Sequence, residues 1–126
     1  MDTTPDTAGR GPEPDCLFCK IVAGEVPADV VHETEHSVAF RDINAQAPTH
    51  VLVIPRDHHV DLVALATAAP DHAVEVLRAA GAVAEQEGVA GSGYRLVANS
   101  GQDAQQTVPH AHVHVVGGRA MTWPPG

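Results

Sequence analysis

Three histidines alternate with apolar residues in the stretch His110-Ala111-His112-Val113-His114-Val115-Val116. Strict alternation with β-branched filler reads as a half-buried strand, on which residues two apart share a face. His110, His112 and His114 then line one face, and Ala111, Val113 and Val115 point to the other. Imidazole gains and loses its proton near neutrality, and its neutral form is both a nucleophile and a metal ligand. A row of three points to catalysis or metal binding. Nine histidines in 126 residues also leave room for a chance cluster on a solvated face.

The second chemically able group is Cys16-Leu17-Phe18-Cys19, which holds both cysteines of the chain. Cys-x-x-Cys joined by two distant histidines makes a tetrahedral zinc set. The alternatives are a redox pair, although no thioredoxin-like strand precedes it, and two unmodified buried thiols. The N-terminus lacks the charged and apolar regions of a signal peptide, so the expected setting is the cytoplasm, where a structural disulfide is disfavoured.

At 126 residues the chain has the length of one domain with one core. Its four aromatics are Phe18, Phe40, Tyr94 and Trp123, so that core must be mainly aliphatic. A net charge of −9 with only seven Lys and Arg argues against nucleic acid and against a polybasic membrane anchor. One phosphate can still be held locally by backbone N–H groups, hydroxyls, amides and imidazoles.

The elements that must position these groups follow in order. Residues 1–14 are polar, punctuated by Pro and Gly and without periodicity, and read as a disordered tail before a domain over 15–126. A short helix is expected over 15–22, capped by Asp15, with Phe18, Ile21 and Val22 on its apolar side. Residues 30–33 and 37–41 read as a hairpin, and His50-Val51-Leu52-Val53-Ile54 as a central buried strand ended by Pro55. A helical turn is expected within 61–69. The main helix runs from Pro70 to about Glu87, burying Ala73, Val76, Leu77, Ala80, Val83 and Ala84. Residues 94–98 form another strand before the histidine strand. Without βαβ alternation, this order favours an antiparallel sheet with helices packed on it.

The whole pattern from Asp15 onward resembles the histidine triad (HIT) family. The carrying residues are the triad itself, Phe40-Arg41-Asp42-Ile43, the run from Ala47 to Pro55, Gly93-Tyr94-Arg95, and the ending from Gly117 through Trp123-Pro124-Pro125-Gly126. The ending resembles the Hint, or histidine triad nucleotide-binding, branch, in its bacterial zinc-containing type. The resemblance implies an α+β fold: a five-stranded antiparallel sheet with one long and one or two short helices, dimerising into a continuous sheet. It implies hydrolysis or transfer at a nucleotide α-phosphate, most typically cleavage of purine nucleoside 5′-phosphoramidates of the AMP-amine type.

It also implies roles. His112 is the nucleophile, oriented by the backbone carbonyl of His110, and His114 donates to the phosphate or the bridging atom. Asn99, Gln105, Gln106 and Thr107 meet the phosphate and leaving group. Asp42 and Ile43 hold the ribose and base end, while Leu17, Phe18, Ile21 and Phe40 form an apolar purine slot. Trp123 lies in a tail that reaches the partner's active site in a homodimer. Cys16, Cys19, His50 and His110 hold a structural Zn2+.

Three residues depart from the pattern. Gln105 stands where Gly is usual, Thr107 replaces a common Ser, and Pro109 fixes the entry to the triad. The rival readings are a dinucleoside polyphosphate hydrolase or nucleotidyl transferase, and a non-catalytic nucleotide- or zinc-binding interaction module.

Overall fold

The computed structural model describes residues 13–126, so the expected tail lies outside the described residues except for Glu13 and Pro14. The elements are α1 (Leu17–Val22), β1 (Val30–Glu33), β2 (Ser37–Arg41), β3 (Thr49–Pro55), α2 (Leu62–Ala68), α3 (Pro70–Gln86), β4 (Tyr94–Val97) and β5 (Val113–Gly117), with a 3-10 turn at Gln102–Ala104 before β5. The strands form one antiparallel sheet in the order β1-β2-β3-β5-β4. The expected α+β architecture is the observed one.

β3 lies at the centre and is buried along its whole length. Its period of two divides the core. Val51 and Val53 face α3 with Ala39, Ala111, Val113 and Val115, against Val76, Ala80 and Val83. Leu52 and Ile54 face α1 with Val38 and Phe40, against Cys16, Phe18 and Cys19. Each fully buried valine of α3 contributes about 2 kcal/mol. The sheet is thus a wall between an aliphatic layer and a layer that carries chemistry.

Three local expectations shift. α1 is capped by Cys16 rather than Asp15, its Sγ accepting from Cys19 N–H at 3.4 Å. On α3, Ala79 is buried and Leu77 is half exposed, because the buried arc extends to the Ala79 side and stops short of Leu77. β5 begins only at Val113, so His110 and His112 lie in the irregular entry to the strand and His114 alone is on it. The face-sharing survives: the Phe18 ring meets His110 and His112 edge-on, with centroids 5.8 and 5.2 Å away.

The β1–β2 turn is clamped to α3 by Glu75. Its carboxylate accepts from the Thr34 hydroxyl, from His36 N–H at 2.6 Å and from His36 Nδ1–H at 3.0 Å. The His36 ring stacks on His72 at 3.9 Å. The hydrogen bonds from Thr34 and His36 pull the Glu75 carboxyl down to about 2, and Glu75 in turn raises the proton affinity of His36. Folding therefore favours the ionised Glu75 and the protonated His36. That stabilisation is lost as pH falls through the carboxyl range, and lost again as pH rises through the raised His36 value. The melting-temperature difference between wild type and Glu75→Gln should be larger at pH 6 than at pH 9. An equal difference at both would show that the clamp works without the His36 charge.

Candidate functional site

A cavity of about 550 Å3 opens between α1 and the sheet. Leu17, Phe18, Ile21, Phe40 and Leu52 supply its apolar surface, and Asp42, Thr107, His112 and His114 stand among its polar lining. Arg41 also lines it, but its guanidinium is committed: Nη1 and Nη2 donate to the two Glu87 oxygens at 2.8 and 2.9 Å. Phe18 and Phe40 meet edge to face with centroids 5.6 Å apart. The volume and the apolar walls suit a planar heterocycle.

The triad residues are held from behind. His110 is fully buried, and its Nε2–H donates to the Pro55 carbonyl at 2.9 Å. His112 Nδ1–H donates to the His110 carbonyl at 2.8 Å, the contact the family resemblance implies. That bond fixes the tautomer and leaves Nε2 as the nitrogen with a free lone pair. His112 and His114 rings lie 5.0 Å apart.

A second chain of bonds reaches His114 from β3. Gln46 N–H donates to His50 Nδ1 at 3.0 Å, so His50 carries its proton on Nε2. That Nε2–H faces His114 Nδ1 at 2.9 Å, with Asp42 Oδ2 at 3.4 Å. His114 consequently keeps its own proton on Nε2. Burial first, then the neighbouring His112 and His50, pushes His114 down to about 4, so the ring is neutral at pH 7.

Behind the triad, Cys16, Cys19, His58 and His110 bring four ligand atoms within 4.8 Å of one another. His110 Nδ1 stands 3.3 Å from Cys16 Sγ and 3.6 Å from Cys19 Sγ, and His58 Nδ1 is 3.5 Å from Cys19 Sγ. A tetrahedral zinc ion with ordinary Zn–S and Zn–N bonds has sulfur-to-nitrogen edges of about 3.5 Å. The donor set fits. His110 fits it in its tautomer too, since donation from Nε2 leaves Nδ1 bare toward the thiols.

The HIT domain family pattern matches residues 23–121. The chain belongs to the HIT domain family. It is 49% identical over 114 residues to the 14 kDa zinc-binding protein of Zea mays, covering 87% of each chain. A solved HIT family hydrolase from Legionella pneumophila is 46% identical with a TM-score of 0.85, over 89% of this chain and 100% of that one. The histidine triad nucleotide-binding protein of Candida albicans is 29% identical with a TM-score of 0.74, over 87% and 83%.

Not every expected site residue falls where the sequence suggested. His50 is not with the cysteines. It sits near the start of β3, whereas Pro55, bonded to His110, ends that strand some 17 Å along it. His58 stands in its place. The signal for His58 was the position of Arg56-Asp57-His58-His59 just past β3: antiparallel pairing with β5 brings the end of β3 beside the entry to the triad.

Phe18, Ile21, Phe40, Asp42, Ile43 and Thr107 do line the cavity with His112 and His114. Asn99 instead lines a neighbouring cavity that shares His114. Gln106 ties its own loop to the one after β3, its amide accepting from Gly101 N–H at 2.9 Å and donating to the Val60 carbonyl at 2.7 Å. Trp123 is 81% exposed and away from the His112 cavity. Gln105 also lies outside that lining and takes a left-handed φ of +62°, a conformation that Gly adopts without steric cost.

Two outcomes follow from this geometry. Replacing Cys16 and Cys19 by Ser should lower the melting temperature and weaken nucleotide binding together, because the same helix carries the thiols and the Phe18 wall. Unchanged melting and affinity would separate the cluster from the cavity. Gln105→Gly should raise stability by about 1 kcal/mol in denaturant unfolding by relieving the left-handed strain, and a loss would show that the Gln side chain is used.

Proposed function

We propose that the protein is a nucleotide-binding hydrolase that cleaves the P–N bond of purine nucleoside 5′-phosphoramidates through a nucleotidyl-histidine intermediate on His112. The observation that carries this reading is the bond from His112 Nδ1–H to the His110 carbonyl at the wall of an apolar cavity. It leaves a neutral imidazole with one nitrogen free to attack, as a two-step displacement requires. The solved relatives named HIT family hydrolase and histidine triad nucleotide-binding protein support the same class.

In this reading the purine packs against Phe18, Ile21 and Phe40, and Asp42 accepts from the ribose hydroxyls with Ile43 at the rim. Thr107 and nearby backbone N–H groups meet the phosphoryl oxygens as fixed neutral dipoles. His112 Nε2 forms a bond to the α-phosphorus as the P–N bond breaks. The Nε2–H of neutral His114 hydrogen-bonds the leaving nitrogen. That nitrogen takes one proton from solvent as the amine departs, and the water that resolves the intermediate releases one, so the protons balance.

Cys16, Cys19, His58 and His110 would hold Zn2+ in a closed four-ligand set, which supplies a cross-link rather than an open reaction position. The 14 kDa zinc-binding relative supports that choice of ion. The same reading takes the protein as a cytoplasmic homodimer, for which Tyr94 and Leu96 on the edge strand β4 offer exposed apolar surface.

Turnover of adenosine 5′-phosphoramidate and diadenosine triphosphate by wild type and His112→Ala tests the reading. Release of AMP from the phosphoramidate alone, abolished in the variant, is expected. Cleavage of the dinucleotide instead would move the protein to the polyphosphate hydrolases, and binding of AMP without turnover would make it a binding module. His50→Ala should lower kcat about 100-fold with KM little changed, and His50→Gln, whose amide can still donate to His114, should recover part of that loss. A variant pair that fails equally would remove His50 from the positioning of His114.

A further inference from the structure

A second cavity, of about 250 Å3, adjoins the first and shares His114 with it. His50 and Asn99 line it together with Arg95 and Arg119. The two guanidiniums differ from those of Arg41 and Arg56, which are paired with Glu87 and Glu33. Arg95 donates to the Thr122 carbonyl at 3.0 Å, and Arg119 to the carbonyls of Gln46 and Ala120 at 3.0 and 3.2 Å. Carbonyls hold a guanidinium in place without neutralising it. Among the described residues, no carboxylate lies within ion-pair distance of either.

The placement is fixed by the backbone. Gly118, at φ +91° and with Pro48 2.9 Å from where a Cβ would stand, turns the chain out of β5 so that Arg119 lies over the Gln46 carbonyl. Arg95 rises from β4, whose register sets it opposite Val116. In a chain of net charge −9, two unneutralised cations on one small cavity are a local reversal of sign.

This rests on the phosphoramidate reading, in which His114 stands between the nucleoside and the departing nitrogen. The nucleoside fills the apolar cavity on one side of His114, so the leaving group occupies the other. We propose that this second cavity is a leaving-group subsite selective for an anionic group, a carboxylate or a phosphate, carried close to the scissile bond. Arg95 and Arg119 bind that anion and the Asn99 amide adds a neutral donor. Guanidinium donors in a fixed fork favour such planar or tetrahedral oxyanions.

Three AMP conjugates separate the possibilities. One is linked through the amine of an amino acid with a free carboxylate, the second is the matching carboxamide, and the third is diadenosine triphosphate, whose leaving group carries phosphate. Wild type should show kcat/KM about tenfold higher for the carboxylate conjugate than for the carboxamide, the worth of one charge-assisted hydrogen bond. Arg95→Gln and Arg119→Gln should each bring that ratio toward one, and added salt should shrink it in wild type. A dissociation constant on His112→Ala lower for the dinucleotide than for either amino-acid conjugate, and raised when Arg95→Gln is added, would assign the subsite to phosphate. Equal rates on carboxylate and carboxamide, with the dinucleotide no better, would overturn the subsite and leave the phosphoramidase reading standing. Dissociation constants of the two amino-acid conjugates on His112→Ala give the same ratio without turnover. If nothing is cut, that ratio still decides the subsite, and the failure belongs to the proposed chemistry.

Discussion

His110 is the joint on which the rest of the structure depends. Its backbone carbonyl holds His112, its Nε2 anchors on Pro55 at the end of the central strand, and its Nδ1 faces both thiols of α1. These partners offset the cost of burying the ring's polar nitrogens. Burial also drives its proton affinity down to about 4, so it stays neutral. Sheet, helix and the His112 ring meet in one residue that does not itself face the cavity.

That joint explains why α1, only six residues long, can form one wall of a site. A helix of this length has little stability of its own. It is held by the thiol at its N-cap, by the His110 and His58 rings near its cysteines, and by Phe18 packed edge-on against Phe40, His110 and His112. The cysteines and the apolar wall alternate along a single turn and a half of helix. The thiol–imidazole cluster and the apolar cavity wall are therefore not independent features of the sequence.

Periodicity made much of the frame legible. The alternation around the triad foretold that Ala111, Val113 and Val115 share the core face, the apolar run of β3 foretold a central buried strand, and Pro70 marked the start of α3. What could not be read was reach. His50 and His58 are both histidines near an apolar strand, and only the antiparallel register, which sets Val53 opposite Val113, decides which one lies beside His110. The same limit hid Gln106, whose amide satisfies backbone groups of its own loop and of the loop after β3, and moved Asn99 to the neighbouring cavity. Residue type told what chemistry was available, and register told where.

The charges fall into a consistent arrangement once the pairs are removed. At the apolar cavity Arg41 is spent on Glu87, and His114, like His110 behind the cavity wall, is held neutral by burial. An imidazole nucleophile is best served there, because a neighbouring cation would compete for its lone pair through the field it adds. Stabilisation of phosphoryl charge then falls to hydroxyl, N–H and imidazole dipoles already in position, which need no reorganisation. The two guanidiniums without carboxylate partners stand on the far side of His114. An acidic chain that keeps cations off His112 and places them past His114 has a polarity from one cavity to the next. A phosphoramidate whose leaving end is anionic would lie along that polarity in one orientation only.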